Sequence, residues 1–500
     1  MKHIFIYINM LVCAWAAFGN AHAQVAADSA AIALQAKVNA IAEDPALNQG
    51  VVSICAKRAD GKVLIDVDSD NMLVPASNMK LISTGAALHT LGADYQFHTK
   101  IGHSGEITDG ILDGDLYIIG GGDPTTFSKD SIATPAEEMF GQWEKIVRDA
   151  GIRHITGKIV GDGRHFDGMM EHPTWQWSDI GTYYGSGATG LMFYENTLSF
   201  SVAAGEKVGD DVNISPYYPV CPWLEVRQNC STGEAGTGDQ LYLYTSELAP
   251  VAEIRGTFGV DRAGKRLDCS NKYPEYTCAH YFREYLVKKG IVCEGGVADF
   301  RLCQDFEDKG QIHMIDSTAS ASLKRIVFET NHASNNLYAE TLFRTLGKTL
   351  TQSACYDSSY VAMDKVLKSL GVSTLRGAAI ADGSGLSRQN YMSTDFFCRF
   401  LLGMMSSPAY EDYVSTLPSP GSKGTLEYNM KASPAAMKAR IKVKSGSMNG
   451  VRCYSGYILP SSGAKEETIV FSIMVNNCTS PTWKVRPLLD KIMATLAEAN

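Results

Sequence analysis

Three strand-like runs close the chain in quick succession: Arg440–Lys444, Arg452–Leu459 and Thr468–Val475. Two more open it, Gly50–Lys57 and Lys62–Val67, joined at an Asp60-Gly61 turn. A strand pair or triplet has little buried face of its own. The two ends of the chain are therefore expected to share one antiparallel sheet. Helical patterns at 30–45, 322–349, 357–370, 393–406 and 484–499 supply elements to pack on it. From about 98 to 310 the texture differs. Short strands and Gly/Asp turns dominate, as in the run from Gly110 to Pro124, and helical stretches fall only at 135–150 and 275–290. The expected fold is α+β and multidomain: an antiparallel sheet flanked by helices and split by a long, strand-rich inserted region. The expected division is a leader at 1–23, the split domain at 24–97 and 316–500, and the insertion at 98–315.

Composition fits this. Five hundred residues suit two to four domains, and 45% apolar with 20% charged residues suits a chain with ample core. A formal charge of −9 argues against nucleic acid as a partner, which would call for a basic patch. Lys2 and His3, a mostly apolar stretch over 4–18 and Ala21-His22-Ala23 form an export signal cleaved after Ala23, which places the mature chain in the periplasm. No later run is apolar enough to span a membrane. Export permits disulfides. Cys221/Cys230, Cys269/Cys278, Cys293/Cys303 and Cys453/Cys478 are candidate pairs, with buried unpaired thiols as the alternative. No His or Cys pairs stand at metal spacing, and Gly120-Gly121-Gly122 reads as a turn rather than a dinucleotide fingerprint, so neither metal nor cofactor is expected.

The chemistry lies in three short motifs. Ser77-Asn78-Met79-Lys80 follows Pro75 and precedes an apolar run, as at the start of a buried helix. A lysine three positions on shares a helix face with the serine and can take its proton. Ser334-Asn335-Asn336 sits on a loop between helices, where a hydroxyl can relay a proton and a carboxamide can hold an amide. Lys444-Ser445-Gly446 ends a strand with alternating Ile441 and Val443. There a lysine can bind a carboxylate, and a glycine lets a bound peptide approach. The bland readings are a capped helix, a turn, and a solvated basic strand face made of Arg440, Lys442 and Lys444.

In this order the motifs resemble those of the penicillin-recognising serine enzymes, with Asn335 and Ser445 where those enzymes commonly have aspartate and threonine. Ser334 lies 254 positions after Lys80. That gap resembles the class C low-molecular-mass penicillin-binding proteins, the D-alanyl-D-alanine carboxypeptidase/endopeptidase family, whose extra domains interrupt a transpeptidase-like domain. Gly114 to Pro124, Tyr184-Gly185 through Thr197, Asp382 to Arg388 and Leu417 to Leu426 are similar to that family too.

The resemblance implies an acyl-enzyme mechanism on peptidoglycan stem peptides ending in D-Ala-D-Ala, with β-lactams acylating the same serine. Ser77 is then the nucleophile, and Lys80 the base, its pKa lowered by burial and nearby positive charge. Ser334 is the proton relay and Asn336 the holder of the substrate amide. Lys444 and Ser445 bind the carboxylate beside Gly446, and the N–H groups of Ser77 and Ser447 form the oxyanion site. Asp382 and Arg388 are expected to shape a turn. A β-lactamase and a catalytically silent wall-binding protein of the same fold are the alternatives.

Overall fold

The computed structural model describes residues 29–47, 49–308 and 310–500. The expected leader, its cleavage point after Ala23 and Cys13 lie outside these residues. The two chain ends do form one sheet. Its five strands run in the order Val63–Val67, Val51–Arg58, Ile469–Asn476, Val451–Ile458 and Ile441–Met448. All four pairings are antiparallel, with Val51 opposite Asn476 and Lys444 opposite Ser455.

Alternation divides this sheet between two cores. Ile441, Val443, Ile469, Phe471 and Ile473 face a layer made by the helix at 29–42 and the closing helix Thr482–Glu498. Cys55, Cys453, Tyr457, Val470 and Met474 face the other way. There they meet helices Met79–Leu91, Leu323–Ala333, Asn336–Thr351, Tyr356–Ser369 and Thr394–Met405. The helix Met79–Leu91 is buried over its first ten residues, because it runs through the middle of this second layer. The helical run expected at 322–349 breaks at Ser334, whose backbone is left-handed (φ 58°). Asn335 then caps the next helix by accepting from the Tyr338 N–H at 3.2 Å.

The central region is strand-rich but not purely antiparallel. Its largest sheet orders Val297–Asp299, Ile159–Asp162, Leu116–Ile119, His98–His103 and His313–Ala319, and its first two pairings are parallel. His98 stands opposite Ala319, so the chain leaves for this region and returns from it side by side. Helices Ala136–Asp149 and Pro274–Lys288 cover a core around Trp143, Phe140 and Phe282. Arg344 ties this region to the helical layer. It is buried and donates to Ala354 O (2.8 Å), Ala188 O (2.5 Å) and Asp167 O (2.7 Å).

The expected cysteine pairs do not form. All eleven cysteines among the described residues are free. Three of the four candidate pairs are split between different cores or faces, whereas Cys221 and Cys230 border one core without bonding. Cys269 packs with Leu198 and Leu267, but Cys278 with Trp143 and Phe282. Cys293 belongs to the Trp143 core, whereas Cys303 packs near Tyr117. Cys221 turns to the Thr277 hydroxyl, 3.9 Å away, and Cys230 lies out on strand Glu225–Gly233. Cys453 contacts Val74 O on one face of the sheet and Cys478 contacts Ala46 O beside the other. Among the described residues no helix is long and apolar enough to cross a membrane.

Replacing Arg344 with methionine removes the donor from two buried carbonyls, Ala354 O and Ala188 O, and from that of Asp167. It is expected to lower unfolding stability by about 2–5 kcal/mol, measured by denaturant titration.

Candidate active site

Ser77 does not start an α-helix directly. It sits in a 3-10 turn, Ala76–Asn78, and the α-helix begins at Met79. The turn still delivers the expected pair: Lys80 Nζ lies 2.9 Å from Ser77 Oγ. Two further neutral acceptors hold the same nitrogen, Asn336 Oδ1 at 2.6 Å and Ser384 O at 2.8 Å. Lys80 is completely buried, and desolvation lowers its pKa to about 7 against the opposing pull of Asp382 and Glu340. The expected help from nearby positive charge is absent from its causes. Instead, the charge of Lys80 adds to burial in depressing Lys444. Glu340 is itself pushed up to about 8, first by burial and then by Asp382. A protonated Glu340 no longer holds a proton on Lys80.

A neutral Lys80 has two N–H bonds and one lone pair. Asn336 Oδ1 and Ser384 O absorb the two donors, which leaves the lone pair for the Ser77 hydroxyl.

Ser334 lies across the cleft from this group. Its left-handed backbone turns the side chain toward Lys444, whose Nζ donates to Ser334 Oγ at 2.9 Å and to Ser445 O at 2.8 Å. Lys444 is not at a strand end, as its sequence suggested, but midway along Ile441–Met448. Nor is it solvated: it is fully buried, on the face opposite Ile441 and Val443. This strand is the sheet's edge. Val443 donates its N–H outward, to Pro418 O at 2.9 Å. By the two-residue repeat, the N–H groups of Ser445 and Ser447 face the same open side.

Gly446, like Lys444 and Ser445, is not among the residues lining the cleft, and it has a packing role. A Cβ there would stand 2.6 Å from Pro75 O and 2.9 Å from Asn78 N. The missing side chain lets the strand lie against the turn that carries Ser77.

These groups bound a cleft of about 640 Å³, lined by Ser77, Ser334, Asn336 and Ser447 among others. Its far wall comes from the central region and was not read from the sequence. Tyr184 O accepts from Asn336 Nδ2 at 2.9 Å. Glu195 accepts from Asn335 Nδ2 (3.0 Å) and from Ser128 Oγ (3.0 Å). It stands in three successive left-handed residues, Tyr194 to Asn196, a strained turn held by Asn196 bonds to Phe193 N and Gly187 O. Asp130, Asp179 and Arg388 also face the cleft. Arg388 was expected only to shape a turn. Asp382 does shape one: its carboxylate accepts from Gly385 N, Ser387 N, Asn390 Nδ2 and Trp175 Nε1 at 2.6–2.8 Å, which aims Ser384 O at Lys80.

Residues 34–496 match the D-Ala-D-Ala carboxypeptidase 3 (S13) family. The chain belongs to this family. It is thereby a serine-type peptidase of the penicillin-recognising fold, as the three ordered motifs implied. A D-alanyl-D-alanine carboxypeptidase of Actinomadura sp. is 30% identical, over 93% of this chain and 84% of that one. A penicillin-sensitive carboxypeptidase A of Dictyostelium discoideum is 25% identical, over 85% and 82%. Penicillin binding protein 4 of Haemophilus influenzae has the same fold, with a TM-score of 0.77 at 21% identity over 92% of this chain and 98% of that one.

Gly446→Ala is expected to push strand and turn apart at this S13 site. Stability should fall by about 1–3 kcal/mol, read from thermal denaturation. The rate of covalent labelling by a fluorescent penicillin should fall with it.

Proposed function

We propose that the protein is a periplasmic serine D,D-peptidase that cleaves peptidoglycan stem peptides ending in D-Ala-D-Ala through an acyl-enzyme on Ser77. The observation that carries this is the Lys80 nitrogen, buried and 2.9 Å from Ser77 Oγ, with desolvation lowering its pKa to about 7. Ser77 Oγ attacks the carbonyl between the last two residues as Lys80 takes its proton. The oxyanion forms between the N–H groups of Ser77 and Ser447, two residues that line the same cleft. The proton held by Lys80 then passes by way of the Ser334 hydroxyl, which gives one and regains one, to the departing D-alanine nitrogen. That hydroxyl is polarised from behind by Lys444.

Asn336, already oriented by Lys80 and Tyr184, positions the peptide amide. Lys444 and Ser445 receive the terminal carboxylate, whose charge favours the ammonium form that burial opposes. Water then hydrolyses the Ser77 ester. A β-lactam, as a mimic of D-Ala-D-Ala, enters the same path and stays as a long-lived adduct.

The same reading covers organisation and location. A transpeptidase-like domain of 24–97 and 316–500 is interrupted by 98–315; the adjacent exit and return strands support this division. The leader-like pattern at 1–23 supports export. Family membership supports a peptidase over a β-lactamase, and the complete set of groups around Ser77 supports an active enzyme over a silent one.

Ser77→Ala should abolish both D-alanine release from a pentapeptide and the penicillin mass adduct. Release that survives the substitution, or an adduct that turns over within seconds, would sink the peptidase reading. The second-order rate of penicillin acylation should rise with pH through about 7 as Lys80 loses its proton, and level off above. Lys80→Ala should lower it about 10²–10⁴-fold and remove that pH step.

A further inference from the structure

The central region carries an aromatic surface beside the cleft that the peptidase chemistry leaves unused. Strand Tyr242–Ser246 edges a three-stranded sheet with Ala249–Gly259 and Glu225–Gly233. Alternation buries Leu243 in a core with Ile254 and Phe258 and turns Tyr242 and Tyr244 to the opposite face. Trp177, 59% exposed, stacks on Tyr244 with ring centroids 6.1 Å apart and planes at 27°. Gly181 makes this approach possible, since a Cβ there would stand 1.7 Å from Leu243 O. The surface runs on into the cleft. Tyr183, 60% exposed, lines the cleft and meets Tyr184 edge-on at 5.3 Å.

The polar groups beside these rings are ordered too. In register, Arg255 stands opposite Tyr242 and Glu253 opposite Tyr244. The two charges pair at 3.0 Å, and Asn229 on the next strand stands opposite Arg255. Trp177 and Tyr242 are exposed and Tyr244 half-buried between Trp177 and Arg255; rings so flanked by planar hydrogen-bonding groups differ from an apolar protein-docking patch, whose centre is depleted of charge. They fit a pyranose. Its C–H face lies on an aromatic ring, while its hydroxyl and acetamido groups reach donors and acceptors at the rim.

We propose that Trp177, Tyr242 and Tyr244 form a glycan subsite that takes hexopyranose rings of the substrate's sugar strand while the attached peptide enters the cleft past Tyr183. The choice of a wall glycan rests on the function proposed above. The surface then makes the enzyme prefer polymeric wall over free peptides, because binding the strand raises the local concentration of its stem peptides.

The test separates sugar from peptide. Glycan strands stripped of their peptides by an amidase, and intact sacculi, are offered to the Ser77→Ala protein in co-sedimentation and titration. Stripped strands should bind. Adding Trp177→Ala or Tyr244→Ala should weaken that binding about tenfold or more, and Trp177→Tyr should restore most of it. In the otherwise unaltered enzyme the same substitutions should leave penicillin acylation within about twofold, which also reports correct folding. If Trp177→Ala impairs acylation, Tyr244→Ala decides the matter. Stripped strands that fail to bind, or bind equally well to the variants, overturn the proposal. So does retention of intact sacculi alone, which would mean that the surface reads peptide or protein. A protein that binds stripped strands but is not acylated by penicillin would retain the glycan subsite and lose the peptidase reading.

Discussion

Lys80 is a primary amine enclosed by neutral acceptors inside a protein core. Desolvation of its charge is the dominant influence on it and brings its pKa to about 7. An amine in that state needs two acceptors for its N–H bonds and a hydroxyl for its lone pair. Each of the three comes from a different part of the chain: Ser77 from the turn before the helix, Asn336 from the start of another helix, Ser384 from a loop. Much of the surrounding architecture is arranged to meet that need. Asp382 spends three of its four hydrogen bonds on fixing the loop that presents Ser384 and the fourth on Trp175 of the central region. Gly385 and Gly446 remove side chains where the loop and the edge strand press on the turn, at Ala76 O and Pro75 O respectively.

A second buried lysine follows the same logic with a different outcome. Lys444 is held by one hydroxyl and one carbonyl, and the charge on Lys80 adds to the cost of its own. Two buried amines in one site disfavour double protonation. In the proposed mechanism one amine accepts the proton of Ser77 and the other is charged by an arriving carboxylate. Ser334 connects the second amine to the cleft, and its left-handed backbone fixes the side chain between them.

The central region is a working wall of the site. It contributes the carbonyl of Tyr184 and the carboxylate of Glu195, and both act on the Ser334–Asn336 segment. The buried guanidinium of Arg344 holds that region against the catalytic helices. The wall and the helix that begins at Asn336 therefore keep their relative position through hydrogen bonds to backbone carbonyls.

Local pattern was enough for much of this. The sheet shared by the chain ends follows from strand periodicity, because a strand's alternation and a turn's Asp-Gly are local signals. The Ser77–Lys80 pair follows from spacing, which a helical turn converts into proximity whatever the rest of the fold does. The sequence also ordered the three motifs. What it lacked was anything that depends on packing between distant segments. The burial of Lys444, disguised by a basic alternation with Lys442, comes from the helical layer that covers that face. The duty of Gly446 toward Pro75 depends on how closely strand and turn approach. The contacts of Tyr184 and Glu195 with residues more than 100 positions away leave no trace in local composition. Cys269 and Cys278 stayed apart for the same reason: nearness along the chain does not place two side chains in one core. Periodicity and spacing determined the elements and the reacting pair. Tertiary structure alone decided which charges lost their water, and so which groups hold the protons.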